Sequence, residues 1–342
     1  MKQRSGPWVR RLQFSEFGGY SVSRLVALLV LFSCCCLCAT AQQKGQYQPG
    51  QYGLNAGVEP DPGISYASLN LNYTADKLND ESGNSVAQNG QYNVWVLENI
   101  FFYVPKVKVL KAKIVFMVTA PIFGNGSVTT PHFGESAGWG LADMWVQPVT
   151  LAWHVPRADV WAGYAFTAPV GRYTPGADNN IGSGYWGNNI TGAGTFYITK
   201  NMGTAANYMA NWETHGQRTD RDNIHVTPGS AFTDEWGFSQ VLPLNKQQTK
   251  LVQAGLIGYD QVQTSANSSS DPVVDAIERH VPFYSVHAVG LQANYIALKQ
   301  NWSTYFKWEH EYSAHAHPQG RTIVFGGIYT FSFPKSKAGA KP

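Results

Sequence analysis

Residues 301–333 read NWSTYFKWEHEYSAHAHPQGRTIVFGGIYTFSF, two strand-like runs divided by a turn-forming stretch. In the second run Ile323, Phe325, Gly327, Tyr329, Phe331 and Phe333 share one face, and Thr322, Gly326, Thr330 and Ser332 share the other. In the first, Trp302, Phe306, Trp308 and Tyr312 oppose Ser303, Lys307, Glu309 and Glu311. Apolar rings on one side of a period-two pattern, with charge on the other, describe a wall between hydrocarbon and water. The same alternation sets Ala206, Tyr208, Ala210 and Trp212 against Asn207, Asn211, Glu213 and His215.

Working back from this stretch, twelve segments rich in Val, Tyr, Trp, Phe and Thr are expected as strands: 63–74, 91–104, 111–122, 139–154, 158–169, 189–200, 204–215, 231–243, 249–262, 283–297, 301–313 and 320–333. Each is long enough for a tilted strand to cross a bilayer. Their connections alternate. Long ones (75–90, 123–138, 170–188, 216–230, 263–282) are separated by short ones such as Asn201-Met202-Gly203, and only the eleventh, AHAHPQG, breaks the rule by being modest. A sandwich in water has no reason to couple loop length to strand parity, whereas a transmembrane barrel of even strand number does. In 139–154 the parity falters around Pro148, where a bulge is expected to reset the register. The fold class is therefore all-β, a transmembrane antiparallel up-and-down β-barrel of about 12 strands.

Composition agrees. Only 14% of the 342 residues are charged, against about 25% in soluble domains; Gly, aromatics and uncharged polar residues fill the difference. Lys2, Arg4, Arg10, Arg11 and Arg24 precede the apolar run Leu25–Cys38 and the small-x-small site Ala39-Thr40-Ala41, the grammar of a cleavable export signal. The run is too short for a retained spanning helix. Lipoprotein processing before Cys34 is the competing outcome, and bulky Phe32 fits it poorly. The expected parts are a signal peptide (1–41), a periplasmic N-terminal segment (42–62), the barrel (63–333) and a tail (334–342). Losing residues 1–41 removes five basic residues and Glu16, leaving 20 basic and 21 acidic side chains. The basic excess thus belongs to the leader and argues for no nucleic-acid partner. All four cysteines leave as well, so neither a disulfide nor a thiolate metal site is expected.

Two motifs carry a resemblance: GWGLADMWVQPVTLAWH (138–154), with its Gly-x-x-Asp strand and Gln-Pro pair, and the Ala-Pro-x-Gly of YAFTAPVGRY (164–173). They resemble the outer-membrane proteins grouped with the meta-pathway of phenol degradation, a family to which transport is ascribed. FGGIYTFSF (325–333) looks like the terminal strand read by barrel assembly machinery, although nine residues follow Phe333 where many barrels stop. The resemblance implies passage of small, hydrophobic or aromatic compounds across the outer membrane, with lipid and the assembly machinery as partners. It brings no catalytic or ligand residues with it.

A charge in mid-strand costs roughly 2–4 kcal/mol on a lipid face. Glu98, Lys113, Asp143, Glu213, Glu235, Lys307, Glu309 and Glu311 are therefore expected to face the lumen. They read as an internal ion network filling a narrow barrel, the slightly favoured role, and compatibly as a lining that sets what passes. Tyr173, Tyr185 and Trp186 are candidate pore-mouth aromatics able to bind a planar solute. Asp178, Asn179 and Asn180 read as turn formers. His154 and His310 lack a Ser in a recognisable nucleophile motif, and His310, His315 and His317 lack acidic or thiol partners at fixed spacing. No catalytic residue, cofactor or metal is expected. An outer-membrane enzyme acting on lipid, and a closed structural barrel, are the alternative functions.

Overall fold

Strands that bury one face against water and the other against lipid must satisfy every backbone group among themselves, and only a closed cylinder leaves no edge. The computed structural model, which describes residues 45–86, 91–130, 133–177 and 179–332, closes in this way. The expected leader, its cysteines, Phe333 and the tail lie outside the described residues. Twelve strands form the wall: β1 (Gly63–Leu78), β2 (Gln91–Val104), β3 (Ala112–Thr130), β4 (Met144–Val155), β5 (Ala158–Ala168), β6 (Gly187–Tyr197), β7 (Thr204–His215), β8 (Ala231–Pro243), β9 (Lys250–Gln263), β10 (Ser285–Ala297), β11 (Trp302–His315) and β12 (Pro318–Ser332). Each pairs antiparallel with its chain neighbours, and β1 closes on β12 from Gly63↔Ser332 to Leu78↔Pro318. No helix among the described residues is long and apolar enough to cross a membrane; the crossing is made by strands.

The alternation fixes which face is which. Ile190, Leu291, Phe325 and Phe331 are each more than half exposed on the outer wall. Between them, Asn211, Glu213, Glu235, Lys307 and Glu309 are buried inside. An apolar belt of that extent is stable only against hydrocarbon. The register skips at Val146/Val149 between β4 and β5, beside Pro148, as the faltering parity required.

Three details differ from expectation. The stretch 123–138 is not a plain loop: β3 runs on to Thr130 and returns as Phe133–Ala137, because pairing with β2 and with itself satisfies a backbone that Gly and Asn alone would leave irregular. The eleventh connection shrinks to Ala316-His317, since β11 and β12 both extend into it. On β1 the apolar set points inward: Leu69, Leu71, Tyr73 and Ala75 are buried together with Val324. Asn70 and Asn72 lie on the outer parity, where Asn70 accepts a bond from Trp95 Nε1 (2.5 Å) and Asn72 donates to Asn93 (3.2 Å). Cross-strand partners thus satisfy amides that a lipid face would otherwise reject.

At the long-loop end, Arg218–Thr219, His225–Thr227 and Ser268–Ser269 form a small three-stranded sheet. The short helix α1 (Pro272–Glu278) follows it, capped by Asp271, which accepts from the backbone N–H groups of Val273 and Val274.

Candidate functional site: the lumen and its internal strap

The segment GQYQPGQYGLNAGVEPDP (45–62) is not free in the periplasm, as its place before β1 suggested; it runs through the lumen. Residues 45–47 sit near the long-loop end, where Gln46 Nε2 donates to Tyr185 O (2.9 Å) and the Gln46 and Tyr47 amides donate to Glu213 (3.2 and 3.0 Å). Below them Asn55 N donates to Asn207 (3.0 Å) and Gly57 N to Thr195 Oγ1 (3.0 Å). Trp161 Nε1 donates to Ala56 O (2.8 Å). Lys113 Nζ, at the short-turn end, donates to the carbonyls of Glu59 and Pro60 (both 3.1 Å) and stands 3.6 Å from Asp61. The strap lies along the wall because an uncharged, Gly-rich backbone offers donors and acceptors that buried lumen side chains need.

Its centre is held from two sides. Glu235 Oε1 accepts the amides of Gly50 (2.9 Å) and Gln51 (3.1 Å) and the hydroxyl of Tyr47 (2.6 Å). Glu235 Oε2 accepts the amides of Tyr52 (2.7 Å) and Gly53 (3.2 Å). The carbonyls of Gly50, Gln51 and Tyr52 accept from Lys307 Nζ at 2.8, 2.6 and 3.1 Å. Four consecutive amides converging on one carboxylate form an anion nest, and its left-handed residues are Gly50 (φ +84°) and Gly53 (φ +65°). Gly57 is required for a different reason: a Cβ there would stand 2.1 Å from Asp159 O, so the strap backbone lies directly on the wall.

The eight charged residues expected in the lumen are distributed as follows. Glu213, Glu235, Lys307 and Lys113 hold the strap, and Glu98 accepts from Gln51 Nε2 (3.1 Å). Glu309 borders Gly50. Glu311 instead braces the wall, accepting from Tyr73 (2.9 Å), Tyr259 (2.8 Å) and Gly320 N (2.5 Å). Asp143 sits among the long loops, where it accepts from Gly171 N (3.0 Å) and Ser183 N (2.7 Å). The three candidate aromatics are not brought together. Tyr185 is buried, edge-on to His215, and Tyr173 donates to Thr219 O (2.9 Å) and Asp220 (2.8 Å). Trp186 is 55% exposed and packs on Phe166, which shares parity with outward Tyr164. Desolvation, with hydrogen bonding to Asp220 next, pushes the Tyr173 hydroxyl up to about 12.

His310 stacks on Trp308, His315 lies against Glu81 O, and His317 stacks on Tyr284; the three do not converge. His154 Nδ1 faces Asp159 at 2.6 Å at the short-turn end. Asn180 accepts from Thr174 N (2.7 Å), an ordinary turn contact, while Asp178 lies outside the described residues.

Between the strap and one side of the wall is a cavity of about 440 Å³. Leu69, Ile100, Phe102, Met117, Ile296 and Ile328 give it an apolar lining, and Gln292, Asn294 and Lys307 give it a polar flank. Sequence reasoning missed this space because it missed the strap. The available signal was the stretch 45–58 itself, Gly-rich and without a charge, an odd composition for a tail in water.

A family model described as "Putative MetA-pathway of phenol degradation" matches residues 75–325, most of the chain. The chain belongs to this family. The matched span runs from the end of β1 into β12, so the strap lies ahead of it. Among solved structures, the chain is similar to an outer-membrane channel from Pseudomonas putida F1, at 12% identity and a TM-score of 0.68 over 84% of this chain and 100% of the other. It also resembles the β domain of the Bordetella autotransporter Brka, at 12% identity and a TM-score of 0.51 over 79% of this chain and 100% of the other. At such identity the likeness is one of fold. No curated protein sequence matches significantly. A closed antiparallel barrel of this family, with a lipid-facing belt, resides in the bacterial outer membrane.

Proposed function

We propose that the protein carries small organic, hydrophobic or aromatic compounds across the outer membrane, with the strap setting how wide the path is. The observation that carries this reading is the cavity beside the strap. Its apolar side would hold a planar or aliphatic solute, and its few polar groups would orient a hydroxyl. The naming of the family for phenol degradation and the channel assigned to the Pseudomonas relative agree with it. A water-filled pore is the weaker reading, because strap and wall polar groups bond to each other.

The test is uptake into liposomes carrying the purified barrel, with phenol or toluene as solute and a sugar of similar size as control. Faster entry of the aromatic solute than in protein-free liposomes, with little effect on the sugar, is the expected result. Equal rates for both solutes, or no gain for either, would overturn the reading.

A further inference from the structure

The outer wall near the long-loop end carries an arrangement unrelated to the lumen. Three adjacent strands bring Asp260 (β9), His287 (β10) and Ser313 (β11) into one row. Asp260 is the register partner of His287, and His287 is the register partner of Ser313. All three face outward. Asp260 stands between buried Tyr259 and Gln261, His287 between buried Val286 and Ala288, and Ser313 precedes buried Ala314. The side chains of Asp260 and His287 are 33% and 30% exposed.

The imidazole is already oriented. His287 Nδ1 lies 2.5 Å from Asp260 Oδ1. Because β9 and β11 flank β10 on opposite sides, turning Nδ1 toward Asp260 turns Nε2 toward the Ser313 side. Directly opposed Cβ atoms in an antiparallel pair are about 4.5–5.5 Å apart, and on that side the imidazole packs on Tyr312, the residue before Ser313, at 6.2 Å between ring centres. A second carboxylate, Asp234, is the register partner of Asp260 and adds negative charge where an imidazolium would form. The register skips beside His287, leaving Tyr312 without a partner in either ladder. The row is two to three residues in from the strand ends, roughly 7–10 Å along the strand. A tilted strand needs about 9–11 residues to cross a bilayer, and these three strands have 14, 13 and 14, so the row falls toward the edge of the apolar span.

We propose that Asp260, His287 and Ser313 form a Ser-His-Asp site on the lipid-facing wall that hydrolyses acyl esters of the surrounding lipid. Ser313 Oγ attacks the ester carbonyl and its proton passes to His287 Nε2; Asp260 acts through His287, holding its tautomer and stabilising the imidazolium. His287 then protonates the leaving alcohol as the C–O bond breaks. Water, deprotonated by His287, attacks the acyl-serine, releasing the fatty acid and returning the proton to Ser313. The site uses no lumen residue, so its test and that of the transport reading are separate.

The full-length mature barrel in detergent micelles is treated with a fluorophosphonate probe and assayed for fatty-acid release from a phospholipid. Covalent labelling mapped to Ser313 is expected, falling about a hundredfold or more in Ser313→Ala and His287→Ala. Asp260→Asn lowers kcat with KM little changed, and Asp260→Glu restores part of it; heat-modifiable gel migration confirms that each variant is folded. Ser285→Ala, two residues before His287 on the same strand, keeps full labelling. Folded wild-type protein labelled no faster than Ser313→Ala would overturn the proposal, as would a label on Ser285.

Discussion

The inside of this barrel has two unlike walls. On the β6–β9 side the buried residues include Thr195, Asn207, Asn211, Glu213, Glu235, Gln253 and Gln261 beside Met209, Ile257 and Tyr259, and most of the strap's side-chain bonds end there. On the β1–β12 side they include Leu69, Leu71, Tyr73, Ala75 and Val324, with Ser65 and Thr322 as polar members, and they offer the strap few hydrogen bonds. A segment with abundant backbone polarity settles where that polarity is answered. That side is thereby left less covered, and the cavity meets it at Ala67, Leu69, Ile328 and Thr330. Plug and path are one consequence of the same asymmetry.

The largest expected effect comes from breaking the polar side. Glu235→Ala orphans four strap amides and leaves Lys307 with less counter-charge, at about 1–3 kcal/mol for each buried donor left unsatisfied. Single-channel recording should show a larger, noisier conductance, and amides 50–53 should lose hydrogen-exchange protection. Unchanged protection there would show that the strap is held by other contacts. Next in size, Leu69→Asp polarises the opposite wall. It should weaken binding of an apolar probe by about 1.5–3 kcal/mol, the value of one buried Leu side chain, measured by quenching of tryptophan fluorescence, and should leave the strap seated.

A smaller effect follows from Glu59 at the strap's lower end. Burial pushes its carboxyl up to about 7 from an ordinary 4.5, against the opposing pull of Lys113. A group that holds its proton more tightly when the strap is seated makes seating strongest below pH 4.5. That advantage is lost as pH rises from 4.5 to 7 and is constant above. Conductance should therefore climb across that window and level off, and Glu59→Gln should flatten the profile. The smallest change is Tyr173→Phe, which removes one hydroxyl bridging two long loops, worth about 1 kcal/mol. Faster exchange at residues 218–220 with unaltered conductance is the expected outcome.

How much of this was legible depended on whether a signal was periodic. The outward row Ile323, Phe325, Tyr329 and Phe331, and the buried Lys307, Glu309 and Glu311, follow from parity alone because lipid rejects charge. β1 escaped the same rule: its outer Asn70 and Asn72 are satisfied by Trp95 and Asn93 on the next strand, and pairing across strands cannot be seen in one strand's pattern. The strap escaped because a nest is made by backbone amides, whose target Glu235 lies 185 residues from Gly50. Trp186 was misplaced for a simpler reason. It stands immediately before β6, so one residue of phase decides between the mouth and the outer wall.

The strap's direction has a further consequence for assembly. It joins β1 at the short-turn end, and its first described residue lies at the opposite end, between Glu213 and Tyr284. The seam between β1 and β12 joins the first and last strands among the described residues. Residues made before the first strand must therefore already lie within the forming sheet when the last hairpin zips onto it, or be threaded afterwards through a finished bore. Folding around an occupant would avoid that threading.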